Sequence, residues 1–177
     1  MRLDVPRPPA PNLLFQPLRS EHAADLERFC DRCETFFELI TGERDAAATA
    51  AALLASRPPG VAPDRKFVFG IRRDAEVIAV VDLIEGFPSA NEWYVGLLLL
   101  LPDERNHQLG RALWHAIEDW IRSRGGRAAR LLVQDQNDGA ARFWRSLGFV
   151  NEIRVQQRLA GRTNECWQFV KRYDTSA

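Results

Sequence analysis

The chain is poor in cysteine, carries no net charge and has no long apolar run. Three cysteines in 177 residues, Cys30, Cys33 and Cys166, are too few and of the wrong parity for a disulfide framework, which points to a reducing compartment. Cys30 and Cys33 read C-x-x-C, yet no second such pair and no histidine pair at ligand spacing follows. They are read as small apolar residues on one helix face, and no metal is expected. Lys plus Arg (24) equals Asp plus Glu (24), so no global field would attract nucleic acid or an anionic membrane. Any anion site must be local. The longest apolar run, residues 95–101 with Gly96 inside it, falls far short of the ~20 residues a membrane helix needs. Residues 1–12 hold no apolar signal core, so a soluble, cytoplasmic protein is expected. A P-loop with its Gly-Lys-Ser/Thr is also missing, which argues against a nucleotide reading of any phosphate site.

What remains is globular: 46% hydrophobic and 27% charged residues, in a length suited to one domain. The proline-rich stretch 1–12 reads as a flexible arm, and 13–177 as a single domain. A short strand is predicted over 13–18. Ser20 is a candidate N-cap for a helix carrying Leu26, Phe29, Cys30, Cys33, Phe36, Phe37 and Ile40 at helical spacing, closed by Gly42. An alanine-rich helix follows over 45–56. The period then changes: 66–71 and 76–84 form a predicted hairpin, and 92–101 a further strand whose leucines suggest burial on both faces. Helix 109–124, strand 128–134, helix 138–147 and a closing strand pair over 149–159 and 165–173 complete the chain. The fold class is therefore α/β: a mixed central sheet of about six to seven strands flanked by about four helices, with a parallel pair in its second half.

Strand 93–101 runs into the turn Pro102-Asp103-Glu104-Arg105-Asn106-His107-Gln108 and the helix start Leu109-Gly110-Arg111-Ala112. The first amides of a helix lack intrahelical partners and sit at the positive end of its dipole, so such a turn binds anions. Gly110 lets a phosphate approach the backbone, and Arg105 and Arg111 add charge.

The stretch Arg105-Asn106-His107-Gln108-Leu109-Gly110 resembles the Arg/Gln-x-x-Gly-x-Gly/Ala signature of the GNAT acyltransferase family, with Gln108 in place of the first glycine. That departure implies strain in the turn or a different backbone path. A second stretch, Asn137-Asp138-Gly139-Ala140-Ala141-Arg142-Phe143-Trp144-Arg145-Ser146-Leu147-Gly148-Phe149, resembles the family's Asn-x-x-Ala-x-x-aromatic-Tyr-x-x-x-Gly-Phe, with Trp144 at the tyrosine. The resemblance implies a GNAT-like fold in which the fourth strand bulges and splays from the fifth. It implies acetyl-CoA as cosubstrate, its pantetheine lying in the gap on backbone groups of Leu98, Leu99 and Leu100 beside Asn137, Phe143 and Trp144. One strand amide, assigned to Leu99, would polarise the thioester carbonyl. The amides of 106–112 would hold the pyrophosphate. The acceptor would be a primary amine of a small molecule or peptide, attacking directly in a ternary complex, with a pocket shaped by 41–45 and the hairpin loops. A homodimer through the closing strands follows by analogy alone.

An indole is no usable acid, so Trp144 cannot inherit the tyrosine's role, and packing is the simpler reading. Glu92 is the candidate base, weighed against an exposed strand-start charge. Asp82 and Glu85 would attract a cationic amine or serve as base through water, or else be solvated edge charges. Tyr94 belongs to the cleft or to the core. His107 is read as a solvated loop residue, and Arg122, Arg124, Arg127 and Arg130 as a solvated helix end or a contact for the 3′-phosphate. Gln108 and Trp144 also favour a second reading, a non-catalytic acyl-CoA-binding module.

Overall fold

The structure, a computed structural model, describes residues 4–105 and 108–173. Seven strands form one sheet: β1 (Leu13–Pro17), β2 (Lys66–Arg73), β3 (Glu76–Glu85), β4 (Glu92–Leu100), β5 (Ala128–Gln134), β6 (Val150–Leu159) and β7 (Arg162–Arg172). Their order is β1-β2-β3-β4-β5-β7-β6. β4 and β5 are parallel and every other neighbouring pair is antiparallel. The mixed sheet and its single parallel pair match the sequence-based expectation. The crossover that a parallel connection requires is supplied between β4 and β5 by a helix.

Among the described residues five α-helices flank the sheet where about four were expected: α1 (Ala23–Arg32), α2 (Glu34–Thr41), α3 (Ala46–Ala55), α4 (Leu109–Ser123) and α5 (Asp138–Ser146). The extra one arises because the single helix predicted after Ser20 breaks at Cys33, whose φ of −106° and ψ of 17° leave the helical well. Ser20 itself opens a 3-10 turn, Ser20–His22, rather than capping α1. Buried Leu26, Phe29 and Cys30 anchor α1, while Phe37 and Ile40 anchor α2. Gly42 ends α2 at φ +79°, a left-handed conformation that glycine adopts without steric penalty. Asp45 then caps α3 by accepting from the amide of Ala48 at 2.9 Å. Burial pushes the Cys30 thiol up to about 12 and the Cys33 thiol up to about 11, so both sit in the core as thiols.

The apolar stripe of α4 packs Trp120 edge-on against Phe67, Phe69 and Trp93. The guanidinium of Arg124 lies 5.1–5.8 Å from the ring centroids of Trp120, Phe67 and Trp93 and pairs with Glu85 at 3.0 Å and with Asp4. Asp4 also accepts from the indole of Trp120 at 2.9 Å, and Pro6 is buried. Asp4 thus fastens the start of the described residues to α4. No helix among the described residues is long and apolar enough to cross a membrane.

Candidate active site

β4 pairs with β5 only at Glu92, Trp93 and Tyr94, opposite Ala128, Ala129 and Arg130; beyond them the two strands part. On its other edge β4 pairs with β3 through Leu100, but the register shifts between Asp82 and Leu83, leaving Gly96 as the extra residue of a bulge. The glycine is sterically demanded: a Cβ there would sit 2.8 Å from Oδ2 of Asp82. The parting strands open a cavity of about 670 Å³. Residues 94–98 of β4 and 131–134 of β5 form two walls, α2 and α3 a third, residues 157–160 of the β6–β7 hairpin a fourth, and Asn137, Ala140 and Trp144 close one end.

The ladder decides which backbone groups face the gap. The amide of Leu101 donates to the carbonyl of Ile78 at 2.9 Å, which makes Leu100–Ala79 a non-bonded pair. Leu99 therefore exchanges its hydrogen bonds with Val80 of β3, while Leu98 and Leu100 turn theirs away from β3, toward β5. Leu99, assigned the thioester carbonyl from sequence, thus has its amide committed to the sheet. The Leu100 carbonyl already accepts from Nε of Arg105 at 3.0 Å, and the Cys33 thiol lies 3.9 Å away. Arg105 accordingly fastens the end of β4. Of the two residues turned toward β5, Leu98 and not Leu100 lines the cavity, so its amide is the one open to it.

Asn106 and His107 lie outside the described residues. Gln108 precedes α4 with φ +61° and ψ −2°, the left-handed conformation that glycine would supply at this point of the family signature. The chain therefore keeps the glycine path and bears the strain. Ala112 is the first residue of the helix whose amide reaches back to Gln108, at 3.1 Å. The amides of Leu109, Gly110 and Arg111 stand ahead of it, with no side-chain cap and no acidic residue in the first turn. Arg111 reaches across to the carbonyl and hydroxyl of Ser146 at 3.3 and 2.9 Å. A Cβ on Gly110 would meet the Phe143 ring at 3.4 Å, so α5 packs directly on this helix start.

α5 begins at Asn137, whose side-chain oxygen accepts from the amide of Ala140 at 3.1 Å. Trp144 is buried edge-on among Trp114, Phe143 and Phe149, with centroids 5.0–5.1 Å away, and also reaches the cavity wall. Packing explains its presence without any proton chemistry.

The titratable groups divide sharply. Glu92 does not line the cavity. Arg130 grips both of its oxygens, at 2.8 and 2.9 Å, and that hydrogen bonding holds the carboxyl below the ordinary glutamate range. Arg130 also reaches Glu152 at 2.8 Å and Arg124 is held by the aromatic rings, so these two members of the basic cluster have separate partners. Asp82 does line the cavity. Its Oδ1 accepts from Nζ of Lys66 at 2.7 Å, and burial pushes its carboxyl up while Lys66 opposes the shift. Burial also raises the Tyr94 phenol, with Asp82 adding to the effect. Glu43 and Asp45 line the cavity from the α2–α3 connection. Among the described residues no three His, Cys, Asp or Glu side chains gather as a metal site. The partnership of Lys66 with Asp82 was not visible in the sequence, because it depends on the β2–β3 register and on the bulge.

Residues 24–149 match the family model described as the Acetyltransferase (GNAT) family. None of the curated proteins matches the chain. Among solved structures, an acetyltransferase from Thermus thermophilus superposes with a TM-score of 0.68 at 22% identity, over 92% of this chain and 97% of its own. A GNAT-family acetyltransferase from Streptococcus pneumoniae gives 0.62 at 18%, over 91% and 99%. The PaiA N-acetyltransferase of Thermoplasma acidophilum, solved with coenzyme A, gives 0.64 at 17%, over 91% and 99%. These likenesses concern the fold.

Proposed function

Because the chain belongs to the GNAT acetyltransferase family, we propose that it moves an acetyl group from acetyl-CoA to a primary amine of a small molecule or peptide by direct attack. The observation that carries this reading is the gap between β4 and β5, which opens beyond Tyr94 and Arg130 and ends near a helix start whose first amides have no cap. Such a helix start suits a pyrophosphate, and the gap offers an edge of unpaired strand to an extended amide-bearing arm. The coenzyme A bound by the Thermoplasma relative fits the same chemistry.

In this reading the amides of Leu109, Gly110 and Arg111 hold the pyrophosphate. Leu98 and Leu100 face the pantetheine, and the side-chain amide of Asn137 lies beside it. The Leu98 amide takes the oxyanion role in place of Leu99. Side-by-side placement of the two substrates supplies much of the rate. With Trp144 packed in an aromatic cluster, no phenol stands at the position of the family acid; thiolate, of pKa near ~8.5, leaves without one.

The test is a thermal shift with acetyl-CoA, free CoA and ATP at matched concentrations, since a ligand of the native state alone raises the melting temperature. Stabilisation by both CoA species and not by ATP supports the site. No shift with either CoA species overturns it. The alternative, an acyl-CoA-binding module without turnover, is favoured only by Gln108 and Trp144; coenzyme binding without thiol release across a broad amine panel would establish it.

A further inference from the structure

β3 reads Glu-Val-Ile-Ala-Val-Val-Asp-Leu-Ile-Glu, and every residue between its two glutamates is buried. A carboxylate in the middle of such a strand is costly. Its ionised form must be taken out of water, and replacing a buried ion pair by apolar residues of similar volume is often neutral or stabilising. Stability alone gives no reason for Asp82 or for Lys66, whose side chain is only 5% exposed. Position gives one. Asp82 stands opposite the β4 bulge, Oδ2 faces Gly96, and the carboxylate forms part of the cavity wall just beyond the point where β4 and β5 part. Lys66 occupies Oδ1, and Oδ2 has no hydrogen-bond partner among the described residues.

We propose that Asp82 is a catalytic residue of this site: its Oδ2 receives the ammonium group of the acceptor and takes from it the proton that must leave before nitrogen can attack, while Lys66 is the positioning residue that holds Oδ1. This rests on the acetyltransferase reading of the cavity. One ammonium proton passes to Asp82. The freed nitrogen pair forms the C–N bond to the acetyl carbon, and the C–S bond breaks with its electrons going to sulfur. A second nitrogen proton ends on the thiolate, and Asp82 returns its proton to solvent. Lys66 from β2 bonds Asp82, and Tyr94 from β4 lines the same cavity. Lys66 keeps the carboxylate ionised enough to attract a cation, and burial keeps it basic enough to accept a proton. The lining also selects the acceptor. Phe37, Ile40 and Leu53 offer an apolar wall, and Glu43 and Asp45 place negative charge on the same side. The acceptor class is therefore a primary ammonium on an apolar or aromatic body.

The experiment uses the full chain with phenethylamine as the probe amine. Three quantities are measured for the parent, Asp82→Asn, Lys66→Met and Asp82→Asn/Lys66→Met: acetyl-CoA binding by calorimetry, the melting-temperature rise given by phenethylamine in the presence of free CoA, and thiol release from acetyl-CoA across pH 6–9. Asp82→Asn alone leaves Lys66 buried without its partner and can unfold the chain, and the double variant guards against that. The expected result is acetyl-CoA binding within about threefold of the parent in every folded variant, with the amine-dependent shift lost and kcat lowered about 100-fold or more wherever Asp82 is replaced. The acidic limb of the parent profile should vanish in those variants and move to higher pH in Lys66→Met, an effect that a merely structural lysine would not produce. A double variant with parental kcat and pH profile overturns the proposal. So does a parent that binds acetyl-CoA yet neither binds nor acetylates phenethylamine, which leaves the acetyltransferase reading intact. Failure to bind acetyl-CoA removes that reading first, and this proposal with it.

Discussion

Arg130 holds Glu92 at both carboxylate oxygens, Nε to Oε2 at 2.8 Å and Nη2 to Oε1 at 2.9 Å, at the point where β4 and β5 still pair. A two-pronged pair of this kind fixes geometry and keeps the acid ionised. It makes Glu92 a clamp on the closed end of the gap. Glu92→Gln should therefore leave kcat/KM within about threefold of the parent, because the general-base contribution of about 10²–10⁴ is not at stake here. Stability should fall by about 1 kcal/mol at neutral pH. The carboxyl is held below its ordinary value in the folded state, so its contribution is present above the unfolded pKa of about 4.3 and is lost as pH falls through the lowered one. Urea titrations of the two proteins at pH 7 and in acid should converge at the acid end. A hundredfold loss of turnover in Glu92→Gln would return the base to this residue.

Gln108 takes the left-handed conformation at the head of α4, at a cost of about 1 kcal/mol for a side chain that is not glycine. Gln108→Gly should relieve that strain. The gain is partly offset by about 0.5–1 kcal/mol of extra freedom in the unfolded chain. Net stability should change by less than about 1 kcal/mol, and CoA affinity should hold or improve, because the amide path stays the same. Gln108→Val should lower both, since a β-branched residue tolerates positive φ poorly. Weaker CoA binding in Gln108→Gly would mean that the glutamine side chain itself touches the coenzyme.

The legible parts of this molecule were those written in local pattern. The strand–turn–helix through Arg105 and Gly110, the short helix from Asp138 and the apolar run of β4 could all be placed from spacing and local pattern. Register could not. The cleft position of Asp82 depends on which residue of β2 and of β4 lies opposite it, and the commitment of the Leu99 amide to β3 depends on one shifted register at Gly96. The break at Cys33 was hidden as well, because apolar residues keep helical spacing straight through it. Local periodicity says nothing of a kink between two segments that share one stripe. Similarly, Glu92 looked like a free strand-start acid only while its partner 38 residues away was unseen.

Asn137 caps α5 and, in the proposed function, also contacts the coenzyme; two substitutions separate the observed role from the proposed one. Its side-chain oxygen is occupied by the amide of Ala140, which leaves the side-chain nitrogen for a ligand. Asn137→Ala should cost about 1 kcal/mol of stability and loosen the start of α5. Asn137→Ser keeps a capping oxygen and should restore most of the melting temperature. It removes the nitrogen donor, and a lost hydrogen bond of about 1 kcal/mol is roughly a fivefold weaker CoA affinity. Calorimetry with free CoA decides: parental affinity in Asn137→Ser would confine the residue to capping.

Gly96 is where stability and chemistry meet most closely. Its backbone would accept alanine, since φ is not positive, but the added carbon would lie 2.8 Å from Oδ2 and 3.2 Å from Cγ of Asp82. The carboxylate cannot swing aside freely, because Lys66 holds Oδ1 at 2.7 Å. Either that ion pair breaks or the bulge moves, and overpacking of this kind costs about 1–3 kcal/mol. Gly96→Ala should thus lower the melting temperature and reduce turnover more than acetyl-CoA affinity. The decisive comparison is made in Asp82→Ala/Lys66→Met, where the obstructing carboxylate is gone. There the same substitution should cost less than about 0.5 kcal/mol, whereas independent sites would show the full cost again. An undiminished cost in that background would mean that alanine disturbs the bulge itself rather than the carboxylate behind it.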